Sequence, residues 1–529
     1  MPSLPTSSDV AVLEAVAETS QDRALALLRE FRPQAAPPER RIFVNRNLRM
    51  SGLSLIGFDM DYTLAEYTVA METLQIQMTL ERLVKEKGYP RAALDLQYDP
   101  AFAIRGLVID KRLGNILKAD GHRHISRGLH GLRELTKDER KSVYRQERIR
   151  MKGDRYALVD TIFGVPETWL FAVLVDLDDQ KARKRPRADR YVKIYDDIRT
   201  TIDRIHADDS LKSLIIADIA TYIRRDPELP ATLVRLRAAN KRLFLMTNSL
   251  APYTQAVMSH LLDGARPDHP DWRSYFDVIC VGSRKPAFFE HSEPFRRLDD
   301  KFQPTTARVR SFEQGVLYHG GNRTDFEKIL GQGGDQILYV GDNMYGDILR
   351  SKTLSAWRTA LIVPELEAEL GIVERMGPVL DRREDRDTLR RQLDAEIHHQ
   401  EHLLAGLRGF ARRGDSEGTD REALDRAITM ARKSLKVLER SLQACLAEIY
   451  ELNTQVSAAF NPHFGMMFKC GDEHSIFGEQ VEDYACLYTS RVTNFLLYSP
   501  FQYFRAPRDL LPHEVPPIPA RLATGPRPG

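Results

Sequence analysis

The stretch LSLIGFDMDYTLAEY, residues 53–67, decides the fold, because it places two acidic residues directly after a short apolar run. The run is rich in Leu, Ile and Phe, which is typical of a strand buried in a parallel sheet. A carboxylate at the end of a buried strand is costly unless a metal, a hydrogen-bond set or a reaction partner compensates it. We therefore expect Asp59 and Asp61 to belong to a functional site.

Three later apolar runs end in polar residues in the same way, and they are RLFLM (242–246), DVICV (277–281) and QILYV (336–340). Helical patterns separate these runs, as in a parallel α/β sheet. Ligands of such sheets bind beyond the carboxyl ends of the strands. The four runs therefore predict an α/β fold with one site at that edge.

Composition excludes several classes of protein. The chain has 529 residues, with 77 Lys and Arg against 75 Asp and Glu, so its net charge of +2 gives no field that would recruit nucleic acid or a membrane. Its four cysteines form no C-x-x-C pair, which argues against a disulfide framework or a zinc site and suits a reducing compartment. No signal peptide or long apolar segment is apparent, so we expect a soluble, cytoplasmic protein.

The length predicts several structural units. About 180 residues separate the first two apolar runs, far more than a crossover helix needs, and indicate an inserted α+β cap. Leu and Ile then recur at helical spacing from Leu389 to Leu452, which indicates a long helical hairpin. The expected division is an N-terminal helix and linker (1–40), core (41–98), cap (99–235), core (236–375), hairpin arm (376–460), a C-terminal segment packed on the core (461–514) and a disordered tail (515–529).

The polar residues after the four runs form a complete set for phosphoryl transfer through an aspartyl-phosphate. They comprise paired acids, hydroxyl and amide donors, a lysine, and further acids that suit Mg²⁺. In chain order they are Asp59, Asp61, Thr247, Asn248, Ser249, Lys285, Asp342 and Asp347. The basic run 181–190 lacks interleaved aromatic residues, so a solvated loop is favoured over contact with nucleic acid.

The segments DMDYTL, TNS, KP and GDNMYGD resemble the four motifs of the haloacid dehalogenase superfamily of phosphohydrolases. Longer segments, including GFDMDYTLAEY, FGVPETWL and LYVGDNMYGDIL, resemble the cytosolic purine 5'-nucleotidase family from about residue 41 to 514. The resemblance implies a Rossmann-like parallel core with a cap, a homo-oligomer (dimer or tetramer), and hydrolysis of purine nucleoside monophosphates, with a nucleoside as a possible alternative acceptor.

By this resemblance, Asp59 attacks the phosphate, while Asp61 protonates the departing ribose oxygen and then activates water. Mg²⁺ would be held by Asp59, the backbone carbonyl of Asp61 and Asp342, with Asp347 beside them. Thr247, Asn248 and Lys285 would hold the phosphoryl oxygens, and Ser249 is a further candidate. Independently of the family resemblance, we expect an elevated pKa for Asp61, because an acid catalyst must be protonated when the substrate binds, even beside other carboxylates.

In this family the cap recognises the base of the nucleotide. The matching residues here are Phe163, for stacking on the base, and Arg199, Asp203, His206 and Lys212, for the base edge and the ribose or phosphate. Arg199, Asp203 and His206 also share one helix face by spacing. The alternative is an exposed, salt-bridged face without a ligand. An acid beside an arginine suits a 6-oxopurine, which favours IMP and GMP as substrates.

The sequence departs from the family at several positions. Gly164 stands where a side-chain amide is common. The nucleotide effector site is matched at Arg105 and Asn115, but Tyr345 replaces a Phe and Thr353 stands in place of a Lys. Two alternatives remain open: a phosphatase of the same superfamily acting on another ester, and a non-catalytic protein that acts through its hairpin.

Overall fold

The computed structural model describes residues 36–145, 149, 153–181, 188–413, 421–508 and 514. The predicted N-terminal helix, most of the basic run and the predicted tail lie outside these residues. Within them, no helix combines the length and the apolar character needed to cross a membrane.

The described strands supply one large sheet, one smaller sheet and several short ribbons. In chain order they are β1 (Phe43–Val44), β2 (Leu48–Arg49), β3 (Leu55–Phe58), β4 (Glu66–Tyr67), β5 (Val108–Asp110), β6 (Asn115–Ala119), β7 (Ile125–His130), β8 (Arg133–Glu134), β9 (Tyr156–Leu158), β10 (Ile223–Arg224), β11 (Arg242–Met246), β12 (Val278–Val281), β13 (Phe295–Leu298), β14 (Pro304–Arg308), β15 (Leu317–Gly320), β16 (Ile337–Gly341), β17 (Arg358–Ile362), β18 (Lys469–Cys470), β19 (Glu473–His474), β20 (Leu487–Thr489) and β21 (Tyr503–Phe504).

The described α-helices alternate with the strands along the chain, and two of them, which form the hairpin, are much longer than the rest. In chain order they are α1 (Val69–Lys87), α2 (Lys137–Tyr144), α3 (Gly164–Lys181), α4 (Ala188–Ala207), α5 (Ser210–Ala217), α6 (Ile219–Tyr222), α7 (Leu229–Ala238), α8 (Ala251–Leu262), α9 (Ala287–Glu290), α10 (Arg323–Leu330), α11 (Arg350–Leu354), α12 (Glu365–Arg413), α13 (Arg421–Ala459) and α14 (Ile476–Tyr484), with a π-helical turn at Met344–Leu349.

The large sheet has the strand order β1-β20-β17-β16-β3-β11-β12-β15-β13-β14. Its seven inner strands, from β20 to β15, are parallel, and the antiparallel pairs lie at the two margins. The four runs expected from the sequence are β16, β3, β11 and β12, and they are adjacent. The predicted α/β class is confirmed.

Register explains why one edge of this sheet collects the polar residues. Phe58, the last residue of β3, pairs with Val340 of β16 on one side and with Leu245 of β11 on the other. Met246 of β11 pairs in turn with Cys280 of β12. Because the four strands are parallel and end level with one another, the residues that follow them meet at one place.

A second, five-stranded antiparallel sheet, in the order β8-β7-β6-β5-β9, lies between β3 and β11 in the chain. A hydrophobic cluster joins this sheet to helices α3, α4 and α1, through residues such as Ile116, Leu170, Ile198 and Leu80. Helix α1 falls within the segment 41–98 that was assigned to the core, yet Leu80 packs in the cap cluster. The helix therefore bridges the two units, and the domain division stays a prediction.

Helices α12 and α13 form the long hairpin. The backbone oxygen of Arg386 accepts a hydrogen bond from Cys445 Sγ at 3.2 Å, while Leu404 and Leu435 border one crevice farther out. Because residue numbers rise along α12 as they fall along α13, the helices are antiparallel. Helix α12 begins at Glu365, before the expected boundary at residue 376, and continues through Pro378.

Candidate active site

Asp59 follows directly after β3 and is held in place by the backbone around it. Its N–H donates to the backbone oxygen of Val340 at 2.9 Å, and its Oδ1 accepts from the N–H of Met60 at 2.8 Å. Gly57, two residues earlier, lies so close to Phe244 that a Cβ would come within 2.0 Å of its ring. The aspartate therefore sits at a fixed point of the sheet edge.

Lys285, from the loop after β12, is buried among carboxylates. Its Nζ lies 2.9 Å from Asp59 Oδ2 and 2.7 Å from Asp347 Oδ1, and it donates to the hydroxyl of Tyr339 at 2.7 Å. Burial works to lower the pKa of Lys285, but the two carboxylates overcome this effect and hold the pKa above its usual value. The lysine is therefore a fixed positive charge.

Three buried carboxylates surround this charge: Asp59, Asp342 and Asp347 offer oxygens that all lie within 4.8 Å of one another. Burial raises the pKa of Asp59 to about 8, although Lys285 opposes the change. Burial, together with Asp347 and Asp59, raises the pKa of Asp342 well above its usual value. One lysine cannot balance all three buried acids when they are ionised, and their oxygen donors suit a divalent cation.

The loop after β11 carries the predicted Thr247, Asn248 and Ser249. Asn248 exchanges two hydrogen bonds with the backbone of Lys285: its Oδ1 accepts from N–H at 2.6 Å, and its Nδ2 donates to the carbonyl at 2.9 Å. Thr247 is fully buried, and its Oγ1 accepts from the N–H of Ser249 at 3.0 Å. Asn248 therefore ties together the two loops that flank Asp59.

Asp61 accepts hydrogen bonds at both carboxylate oxygens. The hydroxyl of Tyr67 donates to Oδ1 at 2.6 Å, and the hydroxyl of Ser249 donates to Oδ2 at 2.9 Å. Burial raises the pKa of Asp61 above its usual value, although both hydroxyl groups oppose the change. This agrees with the elevated pKa expected from the sequence.

A cavity of about 540 Å³ opens beside these groups and is shared by the core and the cap. Its size is within the range of sites for small ligands. It is lined by eight of the predicted residues, which are Asp61, Phe163, Arg199, Asp203, His206, Lys212, Asn248 and Ser249.

The cap wall of the cavity presents one arginine bonded to two acids, and two aromatic rings. Arg199 Nη1 lies 2.7 and 2.9 Å from the carboxylate oxygens of Glu167, and Nη2 donates to Asp203 at 2.7 Å. The rings of Phe163 and His206 meet edge to face at 6.2 Å. Burial, with help from Lys212 and Arg199, lowers the pKa of His206 to about 4, so this ring is neutral near pH 7.

The residues predicted for an effector site have other partners. Arg105 forms a bidentate ion pair with Glu365 and donates to the backbone oxygen of Asp342 at 3.0 Å. Asn115 bonds to Tyr144 and His130 within the cap, and Tyr345 accepts from Arg350 outside it. An effector site built from Arg105, Asn115 and Tyr345 stays a prediction.

Sequence reasoning missed three residues that contact the predicted set: Tyr67 on Asp61, Glu167 on Arg199 and Tyr339 on Lys285. Glu167 lies one helical turn after Phe163, within the quoted segment FGVPETWL, so its spacing was a usable signal. At Gly164, an added Cβ would lie 3.3 Å from Val159, which leaves little room for the family's amide.

Two proteins with related sequences resemble this chain over most of its length. A 5'-nucleotidase domain-containing protein from Dictyostelium discoideum is 30% identical over 484 residues, which cover 89% of this chain and 74% of that protein. The human 5'-nucleotidase domain-containing protein 2 is 28% identical and covers 92% of this chain and 87% of its own. A solved structure of a predicted phosphoglycolate phosphatase from Haemophilus somnus is similar only at 15% identity and a TM-score of 0.25, covering 59% of this chain and 86% of its own.

A family model also matches most of the chain. Residues 42–516 match the model described as the 5' nucleotidase family, and this range includes every residue of the site described above. The chain therefore belongs to the 5' nucleotidase family and is a phosphoric monoester hydrolase.

Proposed function

We propose that this protein is a Mg²⁺-dependent 5'-nucleotidase that hydrolyses purine nucleoside 5'-monophosphates, with IMP and GMP preferred. The observation that carries the proposal is that one cavity is lined by Asp61 and Asn248 at the core edge and by the charged and aromatic wall of the cap. Asn248 bonds to the backbone of Lys285, so the cavity borders the acid and lysine cluster. A phosphate bound near Asp59 would leave its nucleoside facing Phe163 and Arg199. Transfer to a nucleoside in place of water, and a homo-oligomer, stay predictions.

The proposed chemistry has two steps, each with its own proton transfer. A carboxylate oxygen of Asp59 forms a bond to phosphorus as the bond from phosphorus to the ribose 5'-oxygen breaks, and Asp61 gives its proton to that oxygen. Water then bonds to phosphorus and loses a proton to Asp61, as the bond from phosphorus to Asp59 breaks. Lys285, which contacts Asp59, and Asn248, which bonds to the backbone of Lys285, would hold the phosphoryl oxygens.

Asp59, Asp342 and Asp347 would hold the Mg²⁺ ion, together with the backbone oxygen of Asp61. Their hard oxygen atoms are the ligands that Mg²⁺ prefers, and a dication would balance the charge that these acids carry when they are ionised. When bound, the ion supplies positive charge that offsets the phosphoryl oxygens. Such a buried acid cluster without metal or turnover would only cost stability, which disfavours the alternative of a non-catalytic protein.

We expect Mg²⁺ to raise the melting temperature more at about pH 9 than at about pH 6. Because burial raises the pKa of Asp59 from 3.8 to about 8, the metal-free fold binds a proton that the unfolded chain does not. That proton stabilises the fold at low pH, and its contribution is lost as the pH rises towards about 8. At about pH 6 Mg²⁺ must displace this proton in order to bind, whereas at about pH 9 Asp59 has no proton to lose.

The measurement is thermal unfolding with and without MgCl₂ at the two pH values. Asp342→Asn should lose most of the Mg²⁺ effect, while Asp335→Asn, which alters an exposed carboxyl outside the cluster, should keep it. An equal Mg²⁺ effect at both pH values would contradict the proton displacement.

Base selectivity gives a second expected result. We expect kcat/KM to be higher for IMP and GMP than for AMP or pyrimidine monophosphates, because Arg199 offers a donor to O6 and Asp203 an acceptor for N1–H. Arg199→Met should reduce the preference for IMP over AMP by about tenfold or more, since the loss of a polar partner costs most for the substrate that uses it.

A panel of nucleoside monophosphates and sugar phosphates provides the measurement. Arg204→Met is the matched control, because Arg204 lies on the same helix but pairs with Glu86 at 2.7 Å, away from the cavity. Faster turnover of AMP or of pyrimidine monophosphates by the unmodified protein would refute the base preference. Faster turnover of a sugar phosphate would favour the alternative ester.

A further inference from the structure

Two tyrosine hydroxyl groups form a hydrogen-bonded chain that ends at one carboxylate oxygen of Asp61, and the hydroxyl of Ser249 contacts the other oxygen. The phenol of Tyr67 has a single proton, which it donates to Asp61 Oδ1; the two oxygens are 2.6 Å apart. The hydroxyl of Tyr253 lies 2.9 Å from the Tyr67 oxygen, so Tyr253 is the donor to Tyr67 in this arrangement. Tyr67 and Tyr253 are 9% and 6% exposed, and both border the cavity of the candidate site.

The two oxygens of Asp61 have different kinds of partner. Tyr67 can only donate to Oδ1 while it also accepts from Tyr253. Ser249, on Oδ2, has a hydroxyl that rotates and can either donate or accept. A proton can therefore reside on Oδ2 without breaking the Tyr67 contact, whereas a proton on Oδ1 would meet the Tyr67 proton.

We infer that Tyr67, braced by Tyr253, is a positioning residue that reserves Oδ2 of Asp61 for the proton delivered to the leaving ribose oxygen. The inference rests on the proposed function and assigns its acid step to one atom. In the first step the proton passes from Oδ2 to the ribose 5'-oxygen as its bond to phosphorus breaks. In the second, a water proton returns to Oδ2 as the water oxygen bonds to phosphorus and the bond from phosphorus to Asp59 breaks.

If Tyr67 positions the acid, its loss should slow cleavage only when the leaving group needs a proton. A purely structural role would slow cleavage of every substrate. An alcohol needs a proton to leave, while a thiol ionises far more readily and leaves without one. The probe is therefore IMP compared with its analogue in which sulfur replaces the bridging 5'-oxygen. The two molecules share base, sugar and phosphoryl group, so they differ chiefly in the need for the acid.

Tyr67→Phe keeps the ring and removes the hydroxyl. We expect it to lower kcat/KM for IMP by about 10- to 100-fold, and for the sulfur analogue by less than about threefold. Tyr253→Phe removes only the bracing bond and should lower kcat/KM for IMP by about three- to tenfold. Melting temperatures of both variants report on the fold.

Tyr62→Phe is the matched control. Its ring lies 5.0 Å from that of Tyr67, but its buried hydroxyl has no hydrogen-bond partner among the described residues. Its loss should change kcat/KM for either probe by less than about twofold. If Tyr67→Phe slows both probes equally, or neither, the inference fails while the proposed function stands. If the unmodified protein cleaves neither probe, both the proposed function and the inference fail.

Discussion

Asp59→Asn is expected to lower phosphate release by about 10⁴-fold or more while the fold stays intact. An amide oxygen does not form the covalent bond to phosphorus that the proposed chemistry requires. The fold should survive because the substitution removes a buried carboxyl whose pKa burial has raised to about 8. Lys285 would keep its contacts to Asp347 and Tyr339, so no buried cation is left alone.

The measurement combines steady-state phosphate release with acid-quenched labelling from substrate carrying a radioactive phosphate. The unmodified protein should acquire label on the peptide that contains Asp59, and the variant should acquire none. Asp300→Asn, which changes an exposed carboxyl remote from the cluster, should retain full activity and labelling. Label at another residue, or substantial activity in Asp59→Asn, would contradict the nucleophile assignment.

The sheet edge was predictable because each of its components is local in sequence. Asp59, Lys285 and Asp342 each follow a short apolar run, and parallel strands bring such positions together whatever the connections between them. The order of the strands adds no uncertainty, since the four predicted runs proved adjacent. Short apolar runs and the polar residues that follow them were therefore sufficient to predict that these side chains lie at one edge of the sheet.

Contacts made by irregular backbone could not be predicted in the same way. Tyr67 reaches Asp61 because the intervening loop turns at Tyr62, which has φ of 53°, a conformation that an L-residue seldom adopts. No periodicity encodes that turn. The contact of the Ser249 hydroxyl with Asp61 was likewise not predicted, and a role of Ser249 in binding phosphate stays a prediction.

Long-range packing limited the prediction of boundaries. Pro378 breaks a helix in most contexts, because it lacks an N–H and its ring crowds the preceding turn, so residues near it were a reasonable start for the hairpin. Helix α12 nevertheless runs through it from Glu365, whose carboxylate pairs with the buried Arg105. That ion pair links the helix to the backbone of Asp342 and could not be read from local sequence.

Lys285→Met is expected to destabilise the metal-free protein by about 3–5 kcal/mol near pH 8, and by less near pH 5. The variant leaves Asp59 and Asp347 buried without the cation that lies 2.9 and 2.7 Å from them. Near pH 5 Asp59 can keep its proton, since burial already raises its pKa to about 8 with the lysine present. As the pH rises Asp59 must ionise without its cation, and the folded state loses stability relative to the unfolded chain.

Urea unfolding at the two pH values measures this difference, with EDTA present to remove metal. Lys301→Met, at an exposed position, is the matched control and should change stability little at either pH. Added Mg²⁺ should recover part of the lost stability, because a dication supplies positive charge to the same carboxylates. Phosphate release should nevertheless stay about 10²-fold or more below that of the unmodified protein, since Lys285 would also hold the phosphoryl oxygens. A loss of stability that is equal at both pH values would instead assign the lysine a packing role, and the charge balance proposed for the cluster would be wrong.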